Sequence, residues 1–425
     1  MHVARAPAPV QCCHTKRGWQ PSFYAAPLRV RLHPTAIEFT LYDEHPMTRV
    51  AAARVGTLLT VKRRPIPFSF HPVVRTNRRF GLQSRIFSTN PWGIIRQSVE
   101  DSLYGASRDQ AVAFLAQAED FFRSAASSTL VTAKPLLIYY CFLNLAKAFV
   151  LQKRLKAEYL RAQHGLQEGI HPGGVEFTNS FLKAYRSKPS DCNVFDDFQE
   201  ALVGKKFPSA GKVFDLQRLL PQLLQGHRVW CEAADSIERF VEITRIDYLH
   251  DEASKSIWLV INVFADDLSR FGITRNKLLV ESGLNMTFRQ VTSSEVIDGR
   301  KLLKFEQIAP IAYTGRAADK IADLVALVRP MIWTTAMKIP PYRKNYLYLC
   351  PVAERPNLME QLLSVYACFY YFGSITRYRP HLFEGVLKGK HGSHIQEVIS
   401  NIPQQFIYLL ASEFAGREIA HAPIV

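Results

Sequence analysis

The stretch from Pro135 to Leu151 constrains the fold more than any other part of the sequence, because it is apolar apart from Asn144 and Lys147. A helix that spans a bilayer needs about 20 predominantly apolar residues, and this stretch is shorter. A segment that is apolar nearly all round is typical of a helix buried in a protein core. We therefore predict a central core helix in a soluble protein, with no membrane partner. Asn144 and Lys147, three residues apart, lie on the same side of that helix.

The positive charge of the chain is concentrated near its N-terminus. The formal net charge is +16, and residues 1–98 hold 15 Lys and Arg against three carboxylates, which leaves +12 there and +4 in the remainder. Residues 1–88 are also rich in proline and show no helical or strand periodicity, so we predict a basic, poorly ordered arm. A nucleic-acid-binding tail and an extension translated from an upstream start codon are alternatives.

Beyond the arm, helical periodicity dominates. Apolar residues recur at helical spacing from Ala111 to Ala125, and Ser107 with Gln110 forms a capping-box pattern that predicts the start of this helix. Helical periodicity also continues from Leu358 to the C-terminus, where Pro380 is expected to bend or end a helix. Helices therefore account for most of residues 89–240 and 311–425.

A different pattern occupies residues 241–310. Short runs rich in β-branched and aromatic residues, bounded by Asp, Ser and Gly, predict strands at 241–248, 257–264, 284–291 and 302–308. The sequence thus predicts an α+β fold that is predominantly α-helical. We expect one small antiparallel sheet inserted between the two helical segments, all within one domain of residues 89–425.

Two stretches resemble the YaaC-like family, bacterial proteins without a settled biochemical role. The first is Lys134–Ala148, which reads KPLLIYYCFLNLAKA and is followed by His164, Gly165 and Leu166; the second is Tyr370–Arg379, which reads YYFGSITRYR. The resemblance extends over residues 90–425 and implies a mainly helical, cytoplasmic protein. A site shared by the family would most naturally involve the polar residues of the first stretch, namely Lys134, Asn144, Lys147 and His164.

Those four residues have two interpretations. Buried Asn and Lys side chains cost several kcal/mol unless they are paired, so their position on an apolar helix requires partners. The partners are either other side chains of the protein or a ligand anion. We list all four as candidate ligand-binding residues.

The densest polar cluster in an otherwise apolar helix is Arg377, Tyr378, Arg379 and His381. Arg377 is suited to hold a phosphate or carboxylate by a two-pronged contact, and His381 to act as general acid or base. Tyr378 and Arg379 are candidate ligand-binding residues beside them. Alternatively, these groups simply satisfy the carbonyls at a helix end.

A second Arg and His pair, Arg417 and His421, falls in what the periodicity predicts to be the last helix. HEPN ribonucleases resemble this arrangement, since they cut RNA without a metal by using an Arg and a His that are separated by four to six intervening residues. Here only three residues separate Arg from His in each pair. The resemblance implies a HEPN-like helical core, with Arg377, His381, Arg417 and His421 as candidate catalytic residues.

No cofactor and no metal site is predicted. The seven cysteines are scattered without a C-x-x-C pair and their number is odd, which favours reduced thiols in a cytoplasmic protein. No glycine-rich phosphate-binding motif is present.

Three functions remain open at this point. The first is a noncatalytic or weakly catalytic protein that binds RNA, DNA or a partner protein through Arg377 and its neighbours. The second is a metal-independent ribonuclease of a defence or toxin type, and the third is a structural protein that forms a homo-oligomer without a ligand. The first two depend on the polar groups of the two apolar helices facing each other in the fold.

Overall fold

The computed structural model describes residues 50–72, 85–173, 177–188, 191–336 and 343–421. These residues belong to one folded unit, 50–425. The described part contains helices α1 to α12, which span Pro91–Ser102, Gly105–Ser127, Lys134–Gln152, Val194–Val203, Leu216–Leu219, His227–Ala234, Ala265–Arg270, Arg275–Ser282, Ile321–Val328, Gln361–Tyr378, Pro380–Lys388 and Gly392–Ala415.

The strands are mostly short. Strands β1 to β19 span Thr57–Leu58, Thr60–Val61, Arg64–Pro65, Arg85–Ser88, Ala162–Gln163, Leu166–Ile170, Ser180–Ala184, Cys192–Asn193, Lys212–Asp215, Phe240–Ile243, Arg245–Asp251, Ser256–Phe264, Phe288–Val291, Val296–Ile297, Arg300–Gln307, Ile311–Ala312, Ile332–Ala336, Arg343–Tyr348 and Glu418–His421.

Helix α3 lies at the centre of the helical core, as its composition predicts. It is long and apolar enough to cross a membrane, but 72% of its apolar 18-residue stretch is buried inside the fold. It packs against α2, α4, α10 and α12. The Phe142 ring contacts Phe369 of α10 at 5.1 Å and Phe406 of α12 at 3.8 Å between centroids, so α3 buries its side chains against several helices at once.

A second hydrophobic core surrounds a seven-stranded antiparallel sheet. Its main order is β1-β11-β12-β15-β13, with β14 paired to β15 and β16 paired to β12. The central strand β12 is buried at every residue from Ile257 to Val263, so both of its faces are covered, because successive side chains of a strand point to opposite faces. A strand buried on both faces reads as a continuous apolar run in the sequence, and β12 does.

The predicted fold class is wrong. The structure is about 48% helix and 22% strand, with several separate sheets, and is not a mainly helical, HEPN-like core with one small inserted sheet. Strand β1, which lies far upstream in the sequence, belongs to the seven-stranded sheet because Thr57 pairs with His250 of β11. Further strands, β5 to β9, lie within the segment expected to be helical. Strands of two to five residues are too short to display a period.

Part of the predicted arm is described and contributes to the fold. Leu59, Ile66, Phe68 and Phe70 are buried in the core of the sheet. Strand β4 pairs in parallel with β19 near the C-terminus. The rest of the predicted arm, residues 1–49 and 73–84, lies outside the described residues.

The capping box expected at Ser107 is also wrong. Helix α2 already begins at Gly105, two residues earlier. The Ser107 hydroxyl donates to the carbonyl of Ala157, and the Gln110 side chain accepts from the amide of Tyr159. Both side chains therefore hold the segment after α3 against α2 and do not cap their own helix.

Candidate functional site

The two family stretches meet where α3 and α10 pack against each other. Gly373 permits a close approach, because a Cβ atom there would lie 3.0 Å from the Cβ of Tyr139. The helices are antiparallel, since Tyr139 lies near Gly373 and Phe142 lies near Phe369. We call the resulting group the α3–α10 cluster, defined as Tyr139, Tyr140, Lys147, His164, Tyr370 and Arg377.

His164 lies at the centre of this cluster. Its Nδ1 is 2.5 Å from the hydroxyl of Tyr139, and the Tyr139 and Tyr370 rings lie 5.5 and 6.0 Å from its own. Burial, followed by the charges of Lys147 and Arg377, lowers the pKa of His164. Burial also raises the pKa of Tyr139 well above its usual range. At neutral pH the pair is therefore a neutral imidazole hydrogen-bonded to a neutral phenol.

The loop that carries His164 is held in place by the start of α4. The His164 carbonyl accepts from the amide of Phe195 at 3.2 Å. Gly165 has φ +80°, and a Cβ atom there would lie 3.1 Å from that of Asn193, so a side chain would be both strained and crowded. The loop thus depends on α4, which begins just after Asn193.

Two consecutive buried carboxylates fix the start of α4. Asp196 accepts from the amides of Ser187 and Phe207, both at 2.8 Å. Asp197 is fully buried and accepts from Tyr159 and Ser187, and the amino groups of Lys156 and Lys206 both lie 3.8 Å from it. Sequence reasoning missed this network, although two adjacent aspartates in an apolar context were its signal.

Lys147 and Arg377 carry positive charge into the cluster. The Lys147 amino group lies 4.9 Å from the ring centroid of Phe114, and burial lowers its pKa. Arg377 donates to the Tyr140 hydroxyl at 3.0 Å, and its guanidinium lies 5.0 Å from the Tyr378 ring. Across the residues that the structure describes, neither cation forms an ion pair with a carboxylate. Their charge is therefore available to an anion.

The remaining predicted ligand-binding residues differ from these two. Arg379 forms an ion pair with Glu168, so its charge is already balanced. Asn144 is 3% exposed and donates to the Gln117 side chain at 2.7 Å, which satisfies it within the protein. Lys134 is the half-buried first residue of α3, and Tyr378 is 64% exposed. The Tyr378 ring therefore faces solvent, directly after Arg377 in the chain.

The candidate catalytic residues do not come together as one set. Helix α10 ends at Tyr378, as Pro380 predicts, and His381 is exposed at the start of α11. The predicted last helix is wrong for the second pair, because α12 ends at Ala415 and His421 closes strand β19.

The two pairs lie at different levels of the core. Arg377 contacts Tyr140, whereas Phe414, three residues before Arg417, packs on Phe149. Nine residues of helix separate Tyr140 from Phe149, which is a rise of about 13 Å. The charges of Arg377 and Lys147 both act on His164, whereas Arg417 and His421 lie elsewhere.

A second group of ionisable residues, which sequence reasoning missed, joins the two hydrophobic cores. Glu413 of α12 forms ion pairs with Arg329 and, at 3.5 Å, with His71. The Glu360 carboxylate caps α10 by accepting from the amide of Leu362 at 2.7 Å. These residues line a small cavity of about 40 Å³. The four ionisable residues are far apart in sequence, so no local motif indicates them.

The two carboxylates of this group have opposite shifts. Burial, followed by the neighbouring charge of Glu413, raises the pKa of Glu360 to about 7. Burial alone would also raise the pKa of Glu413, but His71 and Arg329 outweigh it and lower that pKa. Glu360 is therefore the group of this pair that gains a proton first as the pH falls.

Metal and disulfide chemistry have no site within the described ranges. There, no three His, Cys, Asp or Glu side chains are grouped so as to hold a metal ion. The five described cysteines are free thiols, and Cys141 and Cys368 are fully buried. Cys12 and Cys13 lie outside the described residues.

Comparison with known proteins gives one match. The model of the family described as YaaC-like Protein matches residues 81–414, which include α3, the His164 loop and α10. No curated protein and no solved structure matches the chain. Because the family model covers most of the sequence, including both stretches that form the α3–α10 cluster, the chain belongs to the YaaC-like family.

Proposed function

We propose that this YaaC-like protein binds single-stranded nucleic acid through the α3–α10 cluster. The observation that carries the proposal is that two cations, Lys147 beside the Phe114 ring and Arg377 beside the Tyr378 ring, have no described carboxylate to neutralise them. Phosphate groups are bound by Lys and Arg, and the affinity comes largely from the release of counterions.

The aromatic residues favour a single strand over a duplex. Tyr378 is 64% exposed and lies beside Arg377, so its ring is available for stacking. Unpaired bases stack on aromatic side chains, whereas bases within a duplex are already stacked on each other. An exposed tyrosine beside an unneutralised arginine therefore fits a strand whose bases are free.

The electrostatics of the neighbourhood support the same conclusion. A neutral His164 does not oppose an incoming phosphate, and its protonation at lower pH would add to the attraction. Lys134, at the start of α3, is half-buried and forms no ion pair in the described part of the chain. It can extend the basic surface along the same helix.

The test is a binding measurement on the full chain. Fluorescence anisotropy with a labelled uridine-rich oligonucleotide should show saturable binding that weakens steeply with salt. We expect Arg377→Ala to weaken it about 5-fold or more, which corresponds to about 1 kcal/mol. Tyr378→Ala should also weaken it about 5-fold or more through lost stacking.

The matched control is Arg270→Ala, which removes an exposed arginine at the end of α7, a helix that packs on the core of the seven-stranded sheet. It changes the net charge by the same amount, so it should leave the affinity close to that of the wild type. Absent binding, binding independent of salt, or equal losses in Arg377→Ala and Arg270→Ala would each contradict the proposal.

A second candidate function is cleavage of RNA without a metal, and the environment of His164 favours it. If Nδ1–H donates to Tyr139, Nε2 can accept the proton of a ribose 2′-hydroxyl while the 2′ oxygen bonds to phosphorus. The bond from phosphorus to the 5′ oxygen then breaks, and Lys147 gives that oxygen a proton. Arg377 would stabilise the charge on the phosphoryl oxygens.

This candidate has its own assay. End-labelled RNA should be cleaved in the presence of a chelator by the wild type and by His381→Ala and His421→Ala, but not by His164→Gln. RNA that remains intact with the wild type eliminates the enzyme and leaves the binding proposal standing. Cleavage lost in His381→Ala or His421→Ala would instead place the chemistry at the Arg and His pairs.

A further inference from the structure

A large open cleft lies between α6, the middle of α12 and the edge of the sheet formed by β10 and β18. Its volume is about 850 Å³, within the range of about 300 to 1,000 Å³ that is typical of small-molecule sites. We call it the α6–α12 cleft. It shares no lining residue with the α3–α10 cluster.

Aromatic rings form part of its lining. Phe240 of β10 and Tyr346 of β18 lie on the same face of their sheet, with ring centroids 6.3 Å apart. Tyr408 of α12 also lines the cleft, and the His421 ring meets it edge-on at 5.3 Å. Burial raises the pKa of both Tyr346 and Tyr408 to about 12, so both phenols stay neutral. Flat rings of this kind bind other flat rings.

A stripe of polar side chains on α12 forms the other part. Glu397, Asn401, Gln404 and Gln405 recur at helical spacing and all line the cleft. A side-chain amide offers both a donor and an acceptor, which is the pattern that nucleobase edges present. The stripe is therefore suited to read the polar edge of a heteroaromatic ring.

The cleft is lined by one arginine and two glutamates, and this absence of excess positive charge argues against a polyanion. Arg228 pairs with Glu238 at 3.2 Å, and Glu397 accepts from the Asn401 side chain at 2.6 Å. A ligand that matches this lining is polar and planar but carries no large charge. That description fits a nucleoside better than a phosphate.

The cleft is also held open by contacts within the protein. The His394 Nδ1 lies 2.9 Å from the carbonyl of Gly226 and ties α12 to the start of α6. His227, the first residue of α6, bonds to the carbonyl of Pro221 and accepts from the amide of Arg239 at 2.9 Å. A preformed cleft loses little conformational freedom when a ligand enters.

From these observations we infer that the α6–α12 cleft is a binding site for a nucleoside, with the base between the aromatic residues and the amide stripe. This inference does not depend on the proposed function of the α3–α10 cluster.

The experiment is isothermal titration of the full chain with adenosine, guanosine, cytidine and uridine. At least one should bind saturably, and Gln404→Ala and Tyr346→Leu should weaken it about 5-fold or more, as for the loss of a hydrogen-bonding amide or a stacking ring. Gln396→Ala is the matched control, because Gln396 is an exposed glutamine of α12 that does not line the cleft. It should leave the affinity unchanged, and so should Arg377→Ala.

Several results would overturn the inference. One is the absence of binding heat with all four nucleosides, and another is an equal effect of Gln404→Ala and Gln396→Ala. Binding of maltotriose that is lost in Gln404→Ala would reassign the cleft to carbohydrate. Thermal unfolding of each variant, measured alongside, ensures that a loss of binding is counted only for a folded protein.

Discussion

The Glu360→Gln variant should have a larger free energy of unfolding than the wild type at pH 8. At pH 5 this advantage of the variant should be much smaller. The pKa of Glu360 is about 7 in the folded protein against an ordinary value of 4.5, because it is buried beside Glu413. A group whose pKa is raised by folding stabilises the fold below the unfolded pKa. That contribution is lost as the pH rises through the folded pKa.

The magnitude follows from the size of the shift. From 4.5 to about 7 is about 2.5 units, and each unit corresponds to 1.36 kcal/mol, which gives an upper value of about 3.4 kcal/mol. Glu360 keeps some solvent exposure, so we expect about 2 to 3 kcal/mol. Gln is neutral at every pH and can still accept from the amide of Leu362, so the variant keeps the cap of α10.

The assay is urea unfolding followed by circular dichroism at pH 5, 6, 7 and 8. The difference in unfolding free energy between Glu360→Gln and the wild type should be smallest at pH 5 and should grow to favour the variant by pH 8. Taking the difference cancels the histidines that titrate in the same range. Glu397→Gln, which removes an exposed carboxylate of α12, is the charge-matched control and should leave the unfolding free energy close to that of the wild type. A constant or inverted difference for Glu360→Gln would refute the reasoning.

Three further predictions concern the α3–α10 cluster. Gly373→Ala should destabilise the protein by about 1 to 3 kcal/mol in urea unfolding and should also weaken RNA binding. The reason is that the new Cβ atom would lie 3.0 Å from the Cβ atom of Tyr139. An unchanged unfolding midpoint would contradict this prediction. Asp197→Ala should cost about 3 to 5 kcal/mol in the same assay, since it leaves Lys156 and Lys206 without their buried partner. Asp120→Ala, at an exposed position of α2, should cost little. RNA affinity should rise as the pH falls below the ordinary range of histidine, because the pKa of His164 is lowered and this side chain gains its proton only at lower pH. His164→Gln should remove this rise in anisotropy titrations. An equal rise in the variant would exclude His164 as its source.

The parts of the fold that the sequence predicts well are those with long, local signals. The apolar run of α3 predicts a central helix, and its burial confirms that prediction. Pro380 predicts the end of α10, and the helix does end at Tyr378. Both signals are contained within one element, so no knowledge of distant partners is needed.

The sheets depend on distant partners and could not be predicted in the same way. Strand β1 has two residues and is stabilised by pairing with β11, about 190 positions later. Strand β19 was expected to be helical, but Gly416 adopts φ +59° and ends α12, and Glu418–His421 then pairs with β4. A local period cannot show that a short segment will find a strand elsewhere in the chain.

The candidate site was predictable only in part. The polar residues of the two family stretches were identified, and the charges of Lys147 and Arg377 both lower the pKa of the half-buried His164, after burial itself. The roles of Tyr139 and Asp197 were missed, because their partners come from other elements. Conversely, Asn144 looked like a ligand-binding residue until its partner Gln117 was placed beside it.

The most direct test of the α3–α10 cluster is the salt dependence of RNA binding by the double variant Lys147→Met, Arg377→Ala. Each phosphate contact to a single strand contributes about 0.7 to the slope of log affinity against log salt concentration. If both cations bind phosphates, the slope of the double variant should be smaller than that of the wild type by about 1.4. A slope equal to that of the wild type would show that neither cation contacts the nucleic acid.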